Sequence, residues 1–398
     1  MLELAILIIL TIAAALSYWD RRFSLALSLL AIFAASVILP LAPLLTLVAF
    51  LGIIFLLVIK NNQIAGVDYV MVAFMLVVTV LAFVVKDLAL LLTLFVAASV
   101  PTYLLVMIGD KLNIDIGIKY VTFMVLATIL FIIGAALTYY GYEERSPLYI
   151  AGFLILLTGL CLEVGIAPVH EWVPDVFASA DPVPVSIIAS LAKFVPFVVA
   201  YKIFLVTANP LTAQLLFVVA IVSAISMFVG NIAALTSYEP SRILAYSTVA
   251  NMGYILAAFS AIMSKELIYF ALAGVLLQLF VNSFGKIGFF ASIKGGGTSS
   301  LYSWILGVSF IGIPPLMGFW SKFFIIYALV FSNYVWLAII LILNSAISVP
   351  YYVRLSRILG TGWRRNIANT TALISAAAML ITVIPPTWFV DLVTMARW

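Results

Sequence analysis

The chain has 398 residues, a length that would give a soluble protein two or three domains. Its composition excludes that: 66% of residues are hydrophobic and 9% are charged, against about 45–50% and about 25% in soluble domains. With 19 basic residues, 15 acidic residues and one histidine, the chain cannot coat a globular surface, and a net charge of +4 is small for a nucleic-acid binder.

The lone cysteine, Cys161, excludes an internal disulfide, an iron–sulfur cluster and a cysteine-based zinc site. The lone histidine, His170, excludes a bis-histidine haem. No CxxCH, GxGxxG or P-loop motif occurs. The expectation is an integral membrane protein with no cofactor or metal site of its own.

A helix needs about 20 apolar residues to cross a bilayer. In chain order, fourteen windows qualify: 2–18, 23–39, 42–59, 65–85, 88–108, 118–140, 147–167, 183–206, 212–236, 242–262, 267–291, 300–331, 334–356 and 369–390. The connections are too short for a soluble domain, and strand alternation is absent, which argues against a β-barrel. Glu3 precedes the first apolar run and Arg21 and Arg22 follow it, the reverse of a cleaved signal peptide. That order predicts an anchored first span with its N-terminus outside.

Alternating spans then put Arg21, Arg22, Lys60, Lys111, Lys119, Arg242, Lys294, Arg354, Arg357, Arg364 and Arg365 inside. Lys86, Arg145, Lys202, Lys265 and Arg397 fall outside. Eleven against five follows the positive-inside rule and predicts both termini outside. Arg354, Arg357, Arg364 and Arg365 are expected to set topology and meet lipid phosphates. Lys294-Gly295-Gly296-Gly297 reads as a flexible connector.

Four ionisable residues fall within apolar windows: Glu163 in the seventh, Lys193 in the eighth, Lys286 in the eleventh and Lys322 in the twelfth. A charge at the centre of a span costs about 2.5–3.5 kcal/mol, so such residues line a bundle interior or a wet cavity. Snorkelling at a helix end is the plainer alternative, and it suits Glu163 best. Burial moves a lysine from its ordinary pKa of about 10.4 toward neutrality, where it can take up and release protons. Three lysines and one carboxylate therefore suit a proton pathway. Tyr246, Ser247, Asn251, Tyr254 and Asn282 either hold connecting water or make helix–helix hydrogen bonds.

Two windows carry helix breakers: Gly165-Ile166-Ala167-Pro168 in the seventh and Gly312-Ile313-Pro314-Pro315 in the twelfth. Breaks in matched places suggest inverted repeats. The spacing fits two five-helix units, 65–206 and 207–356, after three N-terminal spans (1–64) and before a last one (357–398).

Three stretches resemble the antiporter-like subunits of respiratory complex I, membrane-bound hydrogenases and multisubunit sodium/proton antiporters. Ala167-Pro168-Val169-His170-Glu171-Trp172-Val173-Pro174-Asp175, followed by Ala180-Asp181-Pro182-Val183-Pro184-Val185-Ser186, resembles P-F-H-x-W-x-P-D…A-P-x-P-V-S. Ser241-Arg242-Ile243-Leu244-Ala245-Tyr246-Ser247-Thr248, with Asn251-Met252-Gly253-Tyr254, resembles K-R-L-L-A-Y-S-S…G-Y. Gly312-Ile313-Pro314-Pro315-Leu316-Met317-Gly318-Phe319 with Lys322 is the third match. The wording around Asn251 and a chain end soon after the fourteenth span look most like the N-type subunit; the L-type adds a long lateral helix.

The resemblance implies an all-α integral membrane fold of about fourteen spans, with two inverted five-helix repeats and discontinuous helices 7 and 12. It implies that Lys193, Lys286 and Lys322 form a central proton axis, that redox cofactors sit in partner subunits, and that the chain works among other membrane-arm subunits and lipids in an energy-coupling membrane. Two positions depart from the pattern. Val96 stands where the family carries a glutamate, and Glu163 stands where the N-type carries a lysine. Either Glu163 supplies the missing carboxylate and pairs with Lys193, or the input half-channel is degenerate. Glu171 also departs, and His170 beside it either relays protons or is a structural hydrogen-bonding residue. The expected function is proton translocation in a complex I-like or hydrogenase-like pump, as one subunit of a quinone-type oxidoreductase. The rivals are a sodium/proton antiporter subunit and a non-pumping structural subunit.

Overall fold

The computed structural model describes residues 2–60, 62, 64–110, 113–143, 147–264 and 267–395. Lys111, Arg145, Lys265 and Arg397 of the charge pattern lie outside the described residues. Regular structure among the described residues is entirely helical. In chain order it comprises α1 (Leu2–Leu16), α2 (Arg21–Ala35), α3 (Ala42–Leu56), α4 (Val67–Val84), α5 (Leu88–Leu105), α6 (Ile114–Gly141), α7 (Pro147–Val164), α8 (Trp172–Ser179) and α9 (Pro182–Ile188). It continues with α10 (Phe194–Val206), α11 (Thr212–Thr236), α12 (Pro240–Ala258), α13 (Ile268–Lys294), α14 (Ser300–Ile311), α15 (Met317–Phe331), α16 (Val335–Leu359), α17 (Ile367–Ala378) and α18 (Thr387–Met395).

Each of the fourteen predicted windows holds a helix, because lipid leaves the backbone of an apolar run no partner but itself. Nine spans among the described residues are long and apolar enough to cross a membrane. Five further apolar helices, α1, α3, α14, α15 and α17, are shorter. Asp20, Asp87, Asn113, Asp181 and Asn366 start α2, α5, α6, α9 and α17 by accepting hydrogen bonds from main-chain amides of the first turn. The stretch Pro182–Val206, α12 and α13 are buried on almost every face, while α6 and α16 turn most of their surface outward.

The two breaks fall where the glycines and prolines place them, and they have the same anatomy. α7 ends at Gly165, with φ 82°, and α14 ends at Gly312, with φ 90°. Both are left-handed positions that strain any residue with a Cβ. Ile166 N donates to Cys161 O, and Ile313 N donates to Val308 O, the same six-residue closure of a helix end. The Ala167–Pro168 and Pro314–Pro315 peptide bonds are cis, and Pro168, Pro314 and Pro315 are all exposed.

Two windows expected to be continuous are interrupted. The eighth runs as α9, a tight 3-10 turn at Leu191–Lys193, and α10. Pro196 has no amide proton and would press on the carbonyl four residues earlier, so the α-helix restarts only at Phe194. The fourteenth splits into α17 and α18 at Pro385-Pro386 for the same reason.

Lys202 was counted on the outer side of the membrane, with no partner assigned. It is buried, and its ammonium donates to the carbonyls of Ala82 (2.9 Å), Phe83 (2.7 Å) and Val85 (2.7 Å) at the end of α4. Arg354 was expected to meet lipid phosphates. Its Nη2 donates to the carbonyls of Ala234 (3.2 Å), Leu235 (3.0 Å) and Ser237 (2.5 Å) at the end of α11. Each cation satisfies carbonyls that a helix end leaves without partners, and each meets the negative end of a helix dipole. Lys202→Met is expected to cost about 2–3 kcal/mol, the range for losing hydrogen bonds to a charged group. Thermal unfolding of the detergent-solubilised variant measures it.

Candidate functional site

Glu163 lies in the last turn of α7, 6% exposed. Its Oε1 accepts a hydrogen bond from the Ser99 hydroxyl of α5 at 2.9 Å. Its Oε2 meets no hydrogen-bonding group. Val96 is only half-buried; Ser99, almost one helical turn further, is the α5 residue that reaches the site. Sequence reasoning passed over Ser99 because a lone serine in an apolar helix ordinarily bonds its own backbone. Thr102 and Tyr120 continue the polar contacts, with Tyr120 Oη donating to Thr102 Oγ1 at 3.1 Å.

Lys193 closes the 3-10 turn and is 2% exposed. Its Nζ donates to the main-chain carbonyl of Glu163 at 3.1 Å and lies 4.8 Å from the centroid of Trp172. Trp172 Nε1 in turn donates to Leu162 O at 2.8 Å. The direct pairing expected of Glu163 and Lys193 thus takes another form. The ammonium meets the exposed carbonyl end of α7, and the carboxylate turns toward Ser99.

Lys286, on α13, is fully buried. Its Nζ donates to Leu244 O at 2.6 Å and to the Ser247 hydroxyl, and sits 5.2 Å from the centroid of Phe310. Lys322, on α15, repeats the Lys193 arrangement across the second break. Its Nζ donates to Phe310 O (2.9 Å) and Ile311 O (3.0 Å) at the end of α14, and lies 4.9 Å from the centroid of Tyr254. A Cβ on Gly312 would lie 3.1 Å from Lys322 Cδ, so the glycine serves both the helix end and the lysine.

These three lysines share one chemistry. Each ammonium is held by helix carbonyls and an aromatic face, and among the described residues none pairs with a carboxylate. Aromatic faces and helix carbonyl ends offer partial negative charge without a full counter-ion.

The remaining sequence candidates divide. Asn282 Nδ2 donates to Ala189 O at 2.6 Å, joining α13 one turn before Lys286 to the irregular stretch before Lys193; its Oδ1 is unpartnered. Asn251 donates to Ser247 O (2.5 Å) and Tyr352 Oη (3.3 Å), and accepts from Gln278 Nε2 at 2.6 Å. Tyr254 Oη accepts from Asn231 Nδ2 at 3.0 Å. His170 and Tyr246 are half-buried, ring to ring at 6.5 Å, and His170 Nδ1 lies 3.3 Å from Pro168 O. Neither contacts an axis lysine directly. Gln278, Asn231 and Tyr352 were missed, although carboxamides inside apolar runs were a legible signal.

Lys294 is not merely part of a connector. It ends α13 and pairs with Asp181 (2.5 Å), the residue that starts α9, and with Asp110 (2.8 Å) after α5. Its hydrogen bond holds the Asp110 carboxyl below the usual carboxylate range. Lys119 pairs with Asp175 nearby.

The family model described as NADH:quinone oxidoreductase/Mrp antiporter, TM, matches residues 85–348. The chain belongs to this antiporter family. The match contains Glu163, Lys193, Lys286, Lys322 and both glycine–proline breaks. A relative, NADH-quinone oxidoreductase subunit N 2 of Symbiobacterium thermophilum, is 34% identical over 238 residues. That match covers 54% of this chain and 46% of the relative, so the chain spans about half of that protein's length in the comparison.

Solved structures superpose over nearly the whole chain. A chain of the Mrp complex from Dietzia sp. DQ12-45-1b gives a TM-score of 0.85 at 16% identity, covering 99% of this chain and 96% of that one. A chain of respiratory complex I from Thermus thermophilus gives 0.74 at 20% identity, covering 98% of each. A chain of the membrane-bound sulfane sulfur reductase, an archaeal respiratory membrane complex, gives 0.83 at 17% identity, covering 99% and 96%. The antiporter-family chain described here is accordingly a multi-pass integral membrane protein whose structural neighbours come from multisubunit membrane complexes.

Proposed function

We propose that this chain is an antiporter-like, N-type proton-translocating subunit of a larger redox-driven pump. Protons move along Glu163, Lys193, Lys286 and Lys322, and the redox cofactors belong to neighbouring subunits. The observation that carries this reading is the trio of buried lysines held by carbonyls and aromatic faces, with the Glu163 carboxylate near Lys193 alone and no carboxylate at Lys286 or Lys322 among the described residues. A buried cation with no counter-ion is a costly way to join helices and a serviceable way to hold a proton destined for release. Glu163, with one oxygen unpartnered beside the Lys193 contact, is the entry group of this path.

The path runs through two inverted five-span units within a fourteen-span chain. Support comes from the matched breaks at Gly165 and Gly312, and from the matched cations, Lys202 on the end of α4 and Arg354 on the end of α11. Both termini face outward from the cell membrane or an equivalent energy-coupling membrane, with the clustered Lys119 and Lys294 inside. Membrane-arm subunits and lipids are the partners.

Purification from native membranes in mild detergent, with mass spectrometry of the co-purifying chains, tests the assembly. Iron–sulfur, hydrogenase-like or quinone-site subunits are the expected companions. Small antiporter subunits with no redox protein would instead assign the chain to sodium/proton exchange.

A further inference from the structure

Lys286 and Lys322 touch the same residue. Phe310 offers its ring to the Lys286 ammonium, at 5.2 Å from the centroid, and its main-chain carbonyl to the Lys322 ammonium, at 2.9 Å. It is 1% exposed and sits in the last turn of α14, just before the Gly312 break. Its ring stacks on Tyr352 at 5.0 Å and on Phe289 at 6.0 Å. One edge of the ring lies against Gly285, the neighbour of Lys286, where a Cβ would run into it.

A hydrogen-bonded chain also runs from Ser247, beside Lys286, toward Lys322. Asn251 binds Ser247 O, Gln278 Nε2 donates to Asn251 Oδ1, and Ser321 Oγ, next to Lys322, donates to Gln278 Oε1 at 2.5 Å. The chain stops at Ser321, whose hydroxyl reaches Gly318 O and not the Lys322 ammonium, and two of its links are carboxamides, each fixed in orientation by the bonds it makes. Neither has a proton to pass on at physiological pH. That chain positions the helices, and the buried, apolar Phe310 is the residue in contact with both ammonium groups.

We propose that Phe310 is the gate between Lys286 and Lys322. With the ring seated, the two ammonium groups are separated; with the ring withdrawn toward the break, water joins them. This rests on the proton pathway proposed above. The ring acts through the lysines as a positioning residue and carries no proton itself.

The test uses the intact purified complex in liposomes, with an imposed pH gradient and no electron donor, so that only passive proton flux is read. Phe310→Ala is expected to raise that flux several-fold. Phe310→Leu, which keeps the bulk, is expected to stay as tight as the parent. The Phe310→Ala, Lys286→Met double variant is expected to return to the parent rate, because the leak runs over the lysine. If Phe310→Ala does not assemble, Phe310→Val is measured in its place. A truncated variant as tight as the parent, or a leak that persists without Lys286, would overturn the gate. Driven pumping by Lys286→Met alone separates this from failure of the pathway. Normal pumping there rejects the pathway itself, whereas lost pumping beside a tight Phe310→Ala rejects only the gate.

Discussion

Lys193→Ala is expected to stop driven proton translocation while leaving the subunit in its complex. The Lys193 ammonium does two things at once: it satisfies the carbonyl end of α7, through Glu163 O, and it stands between Glu163 and the second half of the chain. Alanine removes both. The loss of one positioned proton-transfer group predicts a fall of at least about 10²-fold. Lys193→Arg separates the two roles. Arginine keeps the charge and the hydrogen bond but does not release its proton in a protein. A carbonyl-capping role would be rescued by arginine; a proton-carrying role would not. Proton uptake per electron in reconstituted vesicles, read with a pH-sensitive dye, decides between them. Arginine-variant vesicles that pump at the parent ratio would reduce Lys193 to a structural cap.

Glu163→Gln is the second large effect. Glutamine fills the same space and its amide oxygen can still accept from the Ser99 hydroxyl, so α5 and α7 stay joined. What is lost is the ability to take up and pass on a proton at the atom that has no protein partner, Oε2. Translocation is expected to fall as far as in Lys193→Ala, with the complex still isolated in normal yield. A structural, non-pumping subunit predicts the opposite: yield or stability changes and stoichiometry does not. Vesicles of Glu163→Gln with the parent proton-per-electron ratio would remove this residue from the path.

The helices were legible because lipid removes alternatives: an apolar run has one way to satisfy its backbone, and each of the fourteen windows held helix. The breaks at Gly165 and Gly312 were legible because glycine and proline act locally. The break before Lys193 was less so, since its cause, Pro196, lies beyond it and acts backwards through a carbonyl. Buried charges were legible as residues but not as contacts. Lys202 and Lys193 both interrupt apolar runs, yet one holds a helix end near the surface and the other lies in the core. Only the packing tells them apart. Ser99 and Phe310 were invisible for the same reason: a serine and a phenylalanine in a membrane helix mean nothing until a lysine or a carboxylate is set beside them.

Lys202 and Arg354 carry one more consequence. Each reaches back to the carbonyl end of an earlier helix, from α10 to α4 or from α16 to α11, and under the two-unit organisation proposed above each bond would fasten one unit into a hoop. Asn282 on Ala189 and Lys294 on Asp181 join α13 to the stretch that leads to Lys193, so a slackened bond at either place is expected to be felt at Lys193 and Lys286 together.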